Sequence, residues 1–251
     1  NKYLLALIGI ILFGLILRIY FFIITKDQAH WWDTLAYGSI AKNMILGMWT
    51  NSAFILHEGL IRPPLLPFIW SILLKFGVSD SLTLFIVEIV SSTLSILFMY
   101  LIGKELYGKR VGLAAAFMLA VSWIHLFYSV RIMTDVPSLF FSMVSIYYFL
   151  KSYKNLSLNP FAISILFLSL ATVMRYQSGL IGLIYLIFLG FVHHHKVLVK
   201  KSFWIGGIIG ILPILLFLLS NIAIHGSLFP AVDTYVKDTE EGELLAIRPT
   251  S

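Results

Sequence analysis

The chain has 251 residues, of which 59% are hydrophobic and only 12% charged, and its mean hydropathy is +0.93. A soluble domain carries about 25% charged residues, so the composition excludes an ordinary water-soluble domain and points to an all-α polytopic membrane protein. The net charge of +6 calls for no nucleic acid, since basic residues flank membrane helices on the cytoplasmic side, and the lack of cysteine excludes disulfides, thiolate metal sites and a catalytic thiol.

In chain order, apolar stretches suited to crossing a bilayer run over 3–25, 82–102, 111–130, 136–150, 160–174, 178–192 and 202–224. The first has no small-residue cleavage site and reads as a retained anchor. Three of the seven are only about 15 residues and must draw on flanking Tyr, Ser and Arg at their ends. The segment PPLLPFIWSILLKF, 63–76, is shorter still and has three prolines near its start, which suits an interfacial or re-entrant helix better than a span. Charge supports that reading. If 63–76 does not cross, the N-terminus with Lys2 shares a side with three basic loops, Lys104/Lys109/Arg110, Lys151/Lys154 and Lys196/Lys200/Lys201. If it crosses, those loops face outward, against the positive-inside rule. The expectation is about seven transmembrane helices in a unit spanning 1–224, with one long outer loop, 26–80, holding interfacial helices at 34–48 and 63–76. Residues 225–251 then start a further outer loop in a chain that reads as truncated. The expected location is the plasma membrane, multi-pass, with the site on the outer, periplasmic face.

Within 34–48, Tyr37, Ile40, Ala41, Met44, Ile45 and Met48 recur at three- and four-residue steps, marking an amphipathic helix. Asp33 stands just before it, as a helix cap or as a carboxylate base. Arg131 and Asp135 fall at the outer mouth between the third and fourth spans, four residues apart, a spacing at which they pair on a helix. Arg175 occupies the short turn between the fifth and sixth spans, and Arg62 precedes the 63–76 helix. Each arginine alone reads as snorkelling to headgroups. Together, two acids and three guanidiniums on one face suit chemistry on a lipid-linked phosphate, because guanidinium matches phosphate oxygens.

The blocks WDTLAYGSIAKNM, RPPLLPFI and KELYGKRVGLAAAFMLAVS, followed by SVRIMTDVPSLFF, resemble in order the signature blocks of integral-membrane GT-C glycosyltransferases. The resemblance is to the branch of dolichyl-phosphate-mannose protein mannosyltransferases and lipid A aminoarabinose transferases. It covers 33–140 well and 160–195 loosely, and it implies inverting transfer of a sugar from a polyprenyl-phosphate donor to a protein, lipid or glycan hydroxyl. Carried over by position, it implies Asp33 as the general base and Asp135 as the second acid, with Arg62 and Arg175 holding the donor phosphate. Arg131 joins the phosphate-binding candidates. The chain departs from the pattern at Arg62, where relatives have His or Lys, and at Ile61, where some have an acidic metal ligand.

Tyr37, His57, Glu58 and Glu88 complete the candidate pocket. Glu88 lies within the second span, where an ionisable group is a functional candidate by default. Arg18, about two turns from the outer end of the first span, is expected to snorkel. His57 and Glu58 are two adjacent ligands without a third, and His193–His195 falls in a basic loop, so no metal site is assigned. The residues call for no cofactor, leaving a divalent ion open. Membrane lipids are the remaining expected partners. Two other classes compete. A transporter or lipid flippase would carry mid-span carboxylates and broken helices in matching halves. A non-catalytic envelope-assembly protein would tolerate loss of Asp33 or Asp135. Most acids here lie in loops and both key ones are present, which favours the transferase.

Overall fold

The computed structural model describes residues 2–28, 32–47 and 62–228, and contains no strand among them. Helix α1 (Lys2–Thr25) has 24 residues, roughly 36 Å at 1.5 Å per residue, enough to cross about 30 Å of hydrocarbon. Leu5, Ile16 and Ile23 are more than half exposed, whereas Leu7, Gly14 and Arg18 form the buried seam. Lipid therefore faces most of this helix, and one narrow stripe meets protein.

Two short helices follow. Helix α2 (Trp32–Ile45) buries Ala36, Tyr37, Ile40 and Ala41, and α3 (Leu65–Lys75) buries Leu66 and Trp70. The apolar face of α2 is thus spent largely on protein rather than on lipid. A Cβ added to Gly38 would meet the Trp70 ring at 2.9 Å, so a glycine there lets the outer edge of the indole come close to the helix. The indole Nε1 then donates to Asp80 Oδ1 at 3.0 Å, tying α3 to the start of the next span. The predicted 34–48 helix ends earlier, at Ile45, and Met48 lies outside the described residues.

Helix α4 (Asp80–Tyr107) is capped by Ser79, whose hydroxyl accepts from Leu82 N, and contains a π-helical turn at Phe85–Ile89. Gly108, at φ +90°, makes the turn into α5 (Lys109–Val121), a backbone conformation for which glycine carries no steric penalty. The two helices then pack through Gly103 and Gly112, where a Cβ on Gly112 would sit 2.6 Å from the Tyr100 carbonyl. Small residues bring membrane helices this close. The predicted single span 111–130 is broken. Ser122 is extended (φ −61°, ψ 118°), and α6 (Trp123–Tyr128) restarts beyond it.

Helix α7 (Asp135–Ser152) packs along α8 (Leu158–Met174), and a 3-10 turn (Tyr176–Gly179) leads into α9 (Leu180–His193). After the basic 3-10 stretch His194–Val199 come α10 (Lys201–Gly210) and α11 (Leu212–His225), bent by 48°. The predicted span 202–224 is therefore also broken. Pro213 supplies no N–H to continue the helix through the bend.

A helix or helix pair stands at each of the seven predicted spans, and the chain is an all-α polytopic membrane protein. By length and apolarity alone, α1, α4 and Tyr176–His193 qualify as spans among the described residues, with α10 and α11 a fourth if counted together. The others are shorter or charged at their ends, as with the 13-residue α5.

Arg18 corrects a sequence expectation. Its side chain does not snorkel but is fully buried between α1, α4 and the α5–α6 break. It donates to Ser92 Oγ, to the Gly14 carbonyl at 2.8 Å and to the Ala120 carbonyl at 3.3 Å, and bonds His125 Nδ1 at 2.8 Å. The break after α5 leaves carbonyls without helical partners, and the guanidinium serves one of them.

Candidate active site

Asp33 lies inside the first turn of α2, since the helix begins at Trp32, rather than just before it. Asp135 likewise opens α7. Both carboxylates thus stand in the first turn of a helix, where backbone amides have no partner within the helix. Each meets an arginine. Arg62 Nη1 is 2.6 Å from Asp33 Oδ1, and Arg175 Nη1 pairs with Asp135 Oδ1. Arg175 ends α8 in an extended conformation (φ −154°), which turns its side chain out of the helical register.

The two pairs are joined into a closed ring of contacts. Tyr176, next to Arg175, donates its hydroxyl to the Arg62 carbonyl at 3.3 Å. Thr34, next to Asp33, donates to the Ile132 carbonyl at 3.1 Å, three residues before Asp135. Segments distant in sequence therefore meet at one end of the bundle, as they must if 63–76 does not cross.

The ring encloses a cavity of about 640 Å³ lined by Asp33, Tyr37, Arg62, Pro63, Tyr128, Met133, Thr134, Asp135, Arg175, Tyr176 and Gln177. Tyr128, Asp135 and Arg175 also line a second, largely apolar groove of about 740 Å³, which continues past Leu139, Met143, Ile146 and Ile181. A polar cavity and an apolar groove thus adjoin, with Tyr128, Asp135 and Arg175 lining both. Burial resists the charge of Arg62, but its hydrogen bond and attraction to Asp33 outweigh that, holding its pKa above the ordinary value. Burial also raises the Tyr37 hydroxyl, against the pull of a hydrogen bond to Thr134, so it stays a neutral donor. The Arg62 guanidinium stands 5.6 Å from the Tyr37 ring centroid.

Residues 61–219 match the model of the dolichyl-phosphate-mannose-protein mannosyltransferase family. The chain belongs to this family. It is a membrane glycosyltransferase of the GT-C type. No curated protein matches the chain. The matched stretch holds Arg62, Asp135 and Arg175, while Asp33 lies before it.

Not every candidate of this glycosyltransferase falls in the cavity. Arg131 is absent from its lining and does not pair with Asp135. Residues 129–134 form no helix, so the four-residue spacing brings nothing together. Arg131 instead lies 3.6 Å from the Phe127 ring centroid and donates to the Phe127 carbonyl at 2.6 Å. Glu88 sits behind the cavity, fully buried, and accepts from Met133 N at 3.0 Å. His57 and Glu58 lie outside the described residues. Among the described residues no three His, Asp or Glu side chains converge as metal ligands. Thr34, Tyr128, Thr134, Tyr176 and Gln177 were not marked by the sequence. Only their adjacency to Asp33, Asp135 and Arg175 signalled some of them.

Proposed function

We propose that the chain transfers a sugar from a polyprenyl-phosphate donor, of the dolichyl or undecaprenyl type, to an acceptor hydroxyl at the outer or lumenal membrane face, inverting the anomeric centre. The observation that carries this reading is the polar cavity with two acid–arginine pairs, which shares Arg175 with an adjoining apolar groove. A lipid-borne phosphate has both parts of that shape. Its anionic head fits the guanidiniums and its isoprenoid tail fits the groove.

At rest each arginine is held by a carboxylate. An arriving phosphate offers Arg62 and Arg175 a second acceptor, and guanidiniums that turn to it release Asp33 and Asp135. Asp33, whose side chain is 38% exposed, then takes the proton from the acceptor hydroxyl. The acceptor oxygen bonds the anomeric carbon as the carbon–oxygen bond to phosphate breaks, and the electron pair leaves with the polyprenyl phosphate. Arg175 stabilises the charge that develops there. Neutral Tyr37 and Tyr176 supply hydroxyl groups for orienting the sugar. The acceptor is a protein, lipid or glycan hydroxyl, and the protein acts in the plasma membrane.

Membranes carrying the protein would be given a mixed pool of radiolabelled polyprenyl-phosphate sugars and, separately, the matching nucleotide sugars. Consumption of a lipid-linked donor alone is expected. Consumption of the nucleotide sugar instead, or of no donor by protein shown to be folded and inserted, overturns the proposal.

A further inference from the structure

The loop before Asp135 is gripped at a single peptide unit. The carbonyl of Ile132 accepts from Thr34 Oγ1 on α2, and the N–H of Met133, the other end of the same peptide, donates to Glu88 Oε1 on α4. The peptide is trans, as none in the described chain is cis, so its carbonyl and amide point in opposite directions. Thr34 and Glu88 therefore hold it from opposite sides.

Glu88 reaches this place from the π-helical turn Phe85–Ile89. Such turns are rare and recur at functional sites. Its side chain is fully buried, and its second oxygen, Oε2, has no hydrogen-bond partner among the described residues. An ionisable side chain buried in a span at that cost calls for a reason, and one oxygen spent on one backbone amide is not a packing reason. Met133 and Thr134 line the cavity, and Asp135 follows at once.

We propose that Glu88 is a positioning residue. Through the Ile132–Met133 peptide it fixes where Asp135, and with it the paired Arg175, stands relative to Asp33 next to Thr34. The peptide is the bridge between the two acids, Thr34 its fastening to the helix of Asp33 and Glu88 its fastening to the membrane core. The catalytic consequence rests on the sugar-transfer reading above, whereas the clamp itself does not.

The test compares Glu88→Gln, which keeps an accepting oxygen of the same reach, with Glu88→Leu, which keeps the bulk and removes the acceptor. Hydrogen–deuterium exchange of the whole protein in lipid nanodiscs reads the clamp, in the fragment covering 130–135. Transfer from radiolabelled dolichyl- and undecaprenyl-phosphate sugars reads its consequence. In Glu88→Leu the Met133 amide is expected to exchange at least tenfold faster and turnover to fall about 10- to 100-fold, as a misplacement near 1 Å produces. Glu88→Gln is expected to stay within threefold of wild type in both. Unchanged exchange in Glu88→Leu overturns the clamp, and equal loss of turnover in the two variants overturns the positioning role. Faster exchange with unchanged turnover overturns the positioning role. If the wild type uses no lipid-linked donor, the sugar-transfer reading falls, and the exchange arm still decides whether Glu88 holds the peptide.

Discussion

Replacing Arg175 by alanine separates a structural role from a catalytic one. In the resting protein the Arg175 and Asp135 side chains are 39% and 27% exposed. Ion pairs this open contribute below about 1 kcal/mol, because water screens them. If the pair did nothing more, a loss of that size would change turnover by about fivefold at most. If Arg175 instead receives the leaving phosphate, its loss resembles removal of one donor from an oxyanion site, about 10²- to 10³-fold in turnover. Arg175→Lys should fall between, since an ammonium keeps the charge but not the planar fork. The assay is consumption of a radiolabelled polyprenyl-phosphate sugar by membranes, with thermal melting of the purified protein alongside. The expected result is a large loss of turnover with a melting shift of no more than about 4 °C, the range for 1 kcal/mol in a chain of this size. A turnover change within fivefold would refute the reasoning.

Arg131→Met should leave donor turnover within about threefold of wild type, since that side chain rests on Phe127 outside the cavity, and the same assay checks it. Arg18→Met should destabilise the protein by about 1–3 kcal/mol, because buried acceptors lose their donor. An unchanged melting temperature would contradict the buried cluster with Ser92, Ala120 and His125. Gly112→Ala should cost about 1–3 kcal/mol by forcing α4 and α5 apart, as its Cβ would meet backbone atoms at 2.6 and 2.9 Å that have no rotamer to change. Lower yield of folded, inserted protein would report it.

The sequence made the membrane class legible through hydropathy, and its basic turns grouped the loops of Asp33, Arg62, Asp135 and Arg175 on one side, where the four line one cavity. Asp33, Arg62, Asp135 and Arg175 could be named because each is a charge at the lip of an apolar run, and four such charges share one face. What the sequence could not carry was pairing. Three of the four partners of Arg18 lie 74 to 107 residues away on other helices, so position along its own span suggested a snorkelling side chain instead. Arg131 and Asp135 looked like a helical pair only while 129–134 was taken as helix, and the irregular loop hands Asp135 to Arg175. The breaks at Ser122 and near Pro213 were invisible to a hydropathy window, which averages over one extended residue. Glu88 stood out as costly, but its use became visible only with the Met133 amide in front of it.

The most direct test of the account is transfer from a polyprenyl-phosphate sugar by wild type against Asp33→Asn. The amide keeps the shape of the carboxylate and cannot take the acceptor proton. A fall of about 100-fold or more in turnover, the scale of a lost general base, with donor affinity and melting temperature close to wild type, is what the account predicts. Equal turnover in the two proteins would contradict it, leaving Asp33 as the partner of Arg62 at a helix terminus and the base to be found elsewhere.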